Sequence, residues 1–176
     1  VLLVALAVFV GRAAAAGQAV LHIVTWEDYF SPEVVADFEK QFDCRVVFNY
    51  YDSNETLLGL LAAGGGYDIV TPSSIVAVEL HHRGILRKLD HALLPNKKYI
   101  DPNTTAISHD LAMAFSVPYT VTVTGIGYNR VLVPQAALAD DWSFFASRRL
   151  GKSMAMLNDM REVLGAALKH NGYSLN

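Results

Sequence analysis

Apolar and polar positions along the chain follow two alternating rhythms. Val20 to Trp26, Cys44 to Tyr50 and Tyr67 to Thr71 are short runs rich in β-branched and aromatic residues. Such runs predict buried strands. Between the first two, Val34, Val35, Phe38 and Phe42 recur at helical spacing behind Ser31-Pro32-Glu33. Ser suits the N-cap, Pro the first helical position, and Glu the positive N-terminal end, so a helix starts there. Asp52-Ser53-Asn54 offers caps for a second helix through Leu57, Leu58, Leu60 and Leu61, which Gly64-Gly65-Gly66 ends. A third helix, Val76 to His82, stops at Gly84. Strands alternating with helices predict an α/β domain with a parallel sheet.

Beyond this the rhythm loosens. Leu89 to Asp110 is irregular and polar, with Pro95 and Pro102. Ser116 to Tyr128 is β-rich, Trp142 to Arg149 reads as helix, and Lys152 to Leu157 as another strand. Asn158-Asp159 then opens a helix over Met160 to His170, with Val163, Leu164, Ala167 and Leu168 as its inward face.

The first residues depart from this scheme. VLLVALAVFV is apolar without a break and GRAAAAGQA follows, the pattern of a secretory signal peptide with a cleavage site near Ala15 or Ala16. The run is shorter than the ~20 apolar residues a membrane span takes, so the chain is expected to be exported and not membrane-spanning. No cysteine follows the leader, which argues against a lipid anchor.

Composition narrows the function. The chain has 176 residues, of which 52% are apolar, enough for a sizeable core. A net charge of −3 argues against a nucleic-acid partner, which calls for a clustered basic face. The one cysteine, Cys44, excludes an intrachain disulfide and a cysteine-based zinc site, and reads as a small buried hydrophobe. Gly64 to Gly66 lacks the Lys-Ser/Thr of a phosphate loop, adjacent His81 and His82 lack zinc-site spacing and read as surface residues, and no G-x-S-x-G or H-E-x-x-H occurs. Neither a catalytic residue nor a cofactor is expected.

Three groups remain as candidate chemistry. Thr25 to Phe30, TWEDYF, puts Glu27 and Asp28 between Trp26 and Tyr29 where a strand ends. Ligands collect at the carboxyl ends of parallel strands. Aromatic faces beside carboxylates suit an organic cation, since carboxylates take ammonium groups and rings cover methylenes. The alternative is packing by the rings and helix-end stabilisation by the acids. Ser73-Ser74, after the third strand, can bond a ligand or cap the next helix, and the cap is the commoner use. Asp159 and Glu162 lie three apart at a helix start and can point the same way, or form a capping box. Taken alone, the box is the commoner use of that spacing.

These segments in this order resemble the periplasmic spermidine/putrescine-binding proteins, the receptors of polyamine ABC importers. The resemblance runs from Leu21 to the last residue, on TWEDYFSPEVVADFEK, YYDSNETLLGLL, GYDIVTPSS, SVPYTVTVTGIGYN and NDMREVLGAALKHNGYS. It implies a two-lobe α/β fold of the periplasmic binding protein type that closes over its ligand. Residues 1–17 would be a partial signal peptide, 18–118 the first lobe, and 119–176 the hinge crossover and the truncated start of the second lobe. It implies a polyamine ligand, no enzymatic activity, no cofactor or metal, permease subunits as partners and a periplasmic location. Its ligand-binding residues fall on Trp26, Asp28, Tyr29, Ser73, Asp159 and Glu162, which favours binding over capping for the last pair. Glu27 occupies the variable slot, and Ile75 stands where relatives often carry a tyrosine. Competing expectations are the same fold with another small cationic solute or a metal ion, and a secreted metal-dependent enzyme using Asp28, Asp159 and Glu162 as oxygen ligands.

Overall fold

The computed structural model describes residues 17–133, 141–143 and 154–174, and the chain divides into two compact units, Val1–Pro118 and Tyr119–Asn176. The export leader and most of the helix expected over Trp142 to Arg149 lie outside the described residues.

In the first unit, β1 (Ala19–Trp26), β2 (Cys44–Tyr51) and β3 (Ile69–Val70) form a parallel sheet of order β2-β1-β3. β1 pairs with β2 from Ala19↔Cys44 to Trp26↔Tyr51, and with β3 at Ile23↔Ile69 and Val24↔Val70. The central strand is the best buried, Val24 and Thr25 being fully enclosed, as its near-continuous apolar run requires. β3 is shorter than the run Tyr67 to Thr71 suggested. Its flanks still hold on to β1, with Asp68 N–H donating to His22 O and Thr71 N–H to Val24 O. Asp68 also accepts from His22 N–H at 2.8 Å.

The helices α1 (Pro32–Phe42), α2 (Asn54–Ala62) and α3 (Ser74–His82) form close to the expected positions, although of their N-cap serines Ser31, Ser53 and Ser73 only Ser53 caps through its side chain. The Ser53 hydroxyl accepts from Thr56 N–H at 3.2 Å and starts α2. Gly64, with φ of 77°, ends it in a conformation that favours glycine. Leu57 from α2 packs with Val24 and Tyr51 as the core, flanked by Trp26, Leu60, Leu61, Tyr67 and Val70. Val76, Ala77 and Leu80 bury the inner face of α3. Cys44 is buried, as a small apolar residue would be.

Several expectations change. The segment 89–110 is not wholly irregular. It holds 3₁₀ turns at His91–Leu93 and Pro95–Tyr99 and the short helix α4 (Pro102–Ala106), with Asp90 and Asp101 as caps. His81 is half-buried and stacks on Phe115 at 4.0 Å instead of lying on the surface. Along α1, Val34 and Phe42 are exposed, while Val35 and Glu39 turn inward and Glu39 accepts from Val46 N–H at 2.7 Å.

In the second unit, Tyr119 to Tyr128 and Met154 to Leu157 are not strands. Tyr119 to Tyr128 carries strand-forming residues, but a strand exists only where a neighbour takes its backbone groups; Met154 to Leu157 has no β-branched or aromatic residue to favour one. Helix α5 (Met160–His170) forms as expected, yet it buries Ala166 and half-buries Val163, leaving Leu164, Ala167 and Leu168 exposed. Among the described residues no helix is long and apolar enough to cross a membrane.

Candidate ligand-binding site

The sheet order places a topological switch between β1 and β3, because the chain leaves β1 towards β2 on one side and returns to β3 on the other. Ligand crevices in open α/β sheets lie outside the carboxyl ends of the strands at such a point. β1 ends there with Trp26, followed by a turn at Glu27 and Asp28, and β3 ends there with Thr71-Pro72-Ser73. The structure therefore brings Trp26, Asp28, Tyr29 and Ser73 to the same end of one sheet.

The turn is shaped to hold its acids in water. Asp28 has φ of 59°, a left-handed conformation that Asp tolerates better than most side chains. Glu27 and Asp28 are exposed, while Trp26 and Tyr29 are half-buried. Trp26 leans on Tyr51 with ring centroids 4.6 Å apart and planes tilted by 57°. The Tyr51 hydroxyl donates to Thr71 O at 2.5 Å, and the Thr71 hydroxyl donates to Thr25 Oγ1 at 2.7 Å. These two bonds tie the ends of all three strands together beneath the turn. Burial pushes the Tyr51 phenol up to about 12, and Tyr29 nearby adds to the rise, so this donor stays protonated at any physiological pH.

Ser73 occupies the N-cap position of α3, but its hydroxyl makes no cap bond. Instead its Oγ and its backbone N–H both donate to Asn54 Oδ1, at 3.3 and 3.2 Å. Asn54, buried at the start of α2, anchors Ser73 from the neighbouring helix. Ser74 pairs instead with His109, Oγ to Nδ1, at 2.8 Å. Sequence reasoning overlooked Tyr51, Asn54 and His109. Tyr51 lies one residue past the expected strand and Asn54 among the expected caps, but no local pattern marks their bonds to residues 20 and 19 positions away. His109 is 35 positions from its partner. Ile75 is exposed and adds an aliphatic surface where an aromatic wall was the alternative.

The other two candidate residues belong to the second unit. Asp159 is the N-cap of α5, and its Oδ1 accepts from Arg161 N–H at 2.8 Å and Glu162 N–H at 3.0 Å. Glu162 does something different. Its Oε2 accepts from the Thr124 hydroxyl at 2.6 Å, joining α5 to the segment that enters this unit. It also borders a cavity of about 700 Å³ whose walls include Tyr128, Asn129, Trp142, Met156 and Val163. That cavity presents a carboxylate, two aromatic side chains and apolar surface, the same chemical combination as the β1 turn.

This fold, a parallel α/β unit with its switch point at the end of β1, is that of the two-lobe periplasmic binding proteins. The crystal structure of the TpPotD lipoprotein of Treponema pallidum superposes with a TM-score of 0.79 at 37% identity, covering 89% of this chain and 49% of that one. The chain belongs to the family described as hypothetical lipoprotein (MG045 family), whose sequence profile matches residues 1–115. It is also similar to the putrescine-binding periplasmic protein PotF of Escherichia coli, at 36% identity over 97% of this chain and 49% of PotF. The putrescine-binding periplasmic protein SpuD of Pseudomonas aeruginosa is likewise 36% identical, over 93% of this chain and 48% of SpuD. The chain thus spans about half the length of the relatives it matches. The names of these two relatives give putrescine as what they bind and the periplasm as where they lie.

Proposed function

We propose that the chain is an extracytoplasmic solute-binding protein that captures a polyamine, putrescine or spermidine, for an ABC importer. The observation that carries this reading is the acidic, aromatic turn at the β1–β3 switch point. Trp26 and Tyr29 offer ring faces to the methylene chain, Asp28 offers a carboxylate to an ammonium group, and Ser73, held by Asn54, offers a hydroxyl oxygen. Polyamine amines resemble lysine, with a pKa near ~10.4, and remain cationic at neutral pH. Removing such a group from water costs several kcal/mol unless a carboxylate compensates. The names of the relatives support the same ligand class.

In this reading the first unit is one lobe of a two-lobe receptor and the second unit belongs to the other lobe. Glu162 and Asp159 supply further carboxylates, Glu162 from the cavity wall and Asp159 while capping α5. Residues 1–17 act as the export leader, the ligand is handed to permease subunits in the membrane, and no covalent chemistry is performed. A metal ion is the less favoured ligand. Trp26 and Tyr29 beside the acids suit an organic cation, because ring faces cover methylenes and offer a hard cation no oxygen ligand.

The test is an NMR chemical-shift titration of the 176-residue chain with putrescine and spermidine. Saturable shifts centred on Trp26, Tyr29 and Ser73 are expected, lost in Asp28→Asn. Shifts that scatter over the surface without saturating, or that Asp28→Asn leaves untouched, overturn the reading.

A further inference from the structure

At the carboxyl ends of the strands, hydroxyl groups turn their protons into the protein. Tyr51 donates to Thr71 O at 2.5 Å, and the Thr71 hydroxyl donates to Thr25 Oγ1 at 2.7 Å. The Thr56 hydroxyl donates to the Asp52 carboxylate at 2.9 Å. Ser73 gives both its donors to one acceptor, Asn54 Oδ1, its backbone N–H at 3.2 Å and its hydroxyl at 3.3 Å. A chain of contacts carries this arrangement to the aromatic turn. Trp26 packs on Tyr51 with ring centroids 4.6 Å apart, Tyr51 reaches Thr71, and Asn54 and Ser73 follow closely on Tyr51 and Thr71 in the chain.

The backbone N–H settles the direction of the Ser73 contact. It can only donate, so the Asn54 amide must turn its oxygen, not its NH₂ group, towards Ser73. The hydroxyl beside that same oxygen then donates as well. A serine hydroxyl has one proton. Once that proton is committed to Asn54, the serine oxygen has lone pairs to offer a ligand and nothing to donate. Asn54 is buried while Ser73 is half-buried, so water competes poorly for the amide oxygen and the serine keeps an accessible side.

The charged groups at this end of the sheet share that polarity. Glu27 and Asp28 after β1, Asp52 after β2 and Glu55 in the first turn of α2 are all exposed acids. Residues 19–39 and 46–82, which hold β1, β3, α2, α3 and most of β2, contain no Lys or Arg. Arg83 pairs with Glu79 at the far end of α3. His109 meets Ser74, one residue beyond Ser73, at 2.8 Å.

We infer that Asn54 is a positioning residue that fixes the hydrogen-bond polarity of the ligand site. By taking both donors of Ser73 it makes that serine an acceptor, and the site then selects an ammonium group that carries N–H over one that carries only methyl groups. This rests on the cation-binding reading above and adds the basis of its selectivity. Putrescine and its fully N-methylated, bis-quaternary analogue have the same charge and the same carbon chain. Ring faces and carboxylates attract both ions, whereas a hydroxyl oxygen held as an acceptor can bond only the one with N–H groups.

The experiment is the same NMR titration with putrescine and with its bis-quaternary analogue, on wild type, Ser73→Ala, Asn54→Leu, the double variant and Asn54→Asp. The readout is the ratio of the analogue's Kd to putrescine's. Ser73→Ala should lower that ratio about tenfold, the loss of one hydrogen bond to a charged group. Asn54→Leu should lower it about threefold or more, because the hydroxyl is then free to turn. The double variant should match Ser73→Ala, since Asn54 acts through Ser73. Asn54→Asp should keep the wild-type ratio, because a carboxylate accepts the same two bonds and its added charge acts on both ions alike. A ratio that Ser73→Ala or a folded Asn54→Leu leaves unchanged, a further fall in the double variant, or a fall in Asn54→Asp overturns this inference alone. If Asn54→Leu does not fold, hydrogen exchange of the Ser73 amide in wild type decides its part. Slowed exchange is expected, and exchange at the rate of an unprotected peptide overturns the role of Asn54. Absence of putrescine binding to wild type overturns the polyamine reading and this inference with it.

Discussion

Asp110 offers the sharpest test of how the first unit is held together. The carboxylate is buried, and it organises the six residues that follow it. Oδ1 accepts from Ala114 N–H at 2.9 Å, while Oδ2 accepts from Phe115 N–H at 2.9 Å, Ser116 N–H at 2.9 Å and the Ser116 hydroxyl at 3.0 Å. Burial alone would raise its pKa, but the bonds from Phe115, Ala114 and Ser116 together hold it below the ordinary value of 3.8. In Asp110→Asn the amide oxygen can replace Oδ2 and keep three donors, but the NH₂ group then faces Ala114 N–H. One charge-assisted bond is lost, worth about 1.5–3 kcal/mol, and the other three weaken to neutral bonds. We expect a loss of about 2–4 kcal/mol by urea denaturation at pH 7. At roughly 4–8 °C per kcal/mol for a unit of this size, a fall in Tm of 10 °C or more should follow. The pH dependence has a definite sign. A pKa lowered by folding stabilises above the unfolded value, and that stability disappears as pH falls through the folded value. The gap between wild type and Asp110→Asn should therefore be constant from pH 7 to about 5 and close in stronger acid. A variant within about 0.5 kcal/mol of wild type at pH 7, the range of an ordinary surface substitution, or a gap that widens in acid, would refute the reasoning.

Tyr51→Phe keeps the ring against Trp26 but leaves Thr71 O without its donor, and should cost about 1 kcal/mol by urea denaturation; no loss would mean the strand ends are not tied through that hydroxyl. Asp159→Asn preserves an N-cap and removes a charge, whereas Asp159→Ala removes both. Only the alanine variant should lower thermal stability, by about 1 kcal/mol, while both weaken putrescine in the NMR titration if the carboxylate meets the ligand. Glu162→Gln should weaken putrescine by about tenfold, the loss of one charge-assisted bond, and unchanged affinity would confine Glu162 to its bond with Thr124. N-terminal sequencing of the exported protein should begin between Ala14 and Gln18, and a mature product that retains Val1 to Val10 would refute the leader.

Local signals carried most of the first unit. β1 is apolar and β-branched, Ser31-Pro32 and Ser53 start helices, and the glycines after Ala63 stop one, because each of these effects acts within a turn or two of chain. The same local logic placed TWEDYF and Pro72-Ser73 at strand ends, and parallel α/β order then put them at one crevice. The pairing of segments distant in sequence was decided only by the tertiary structure. Ser73 has a capping residue's neighbourhood, yet its hydroxyl goes to Asn54, because α2 brings a buried amide within reach. Asp159 and Glu162 share the spacing of a capping box, but only Asp159 caps, since Thr124 claims the carboxylate of Glu162. Ser116 to Tyr128 has strand composition and is not a strand, because β-propensity supplies side chains that fit a sheet and not the neighbour whose backbone must complete it. Asp110 and His109 lie in a stretch that reads as irregular loop. One holds the loop and the other reaches α3, and both roles arise from hydrogen bonds whose partners no local pattern announces.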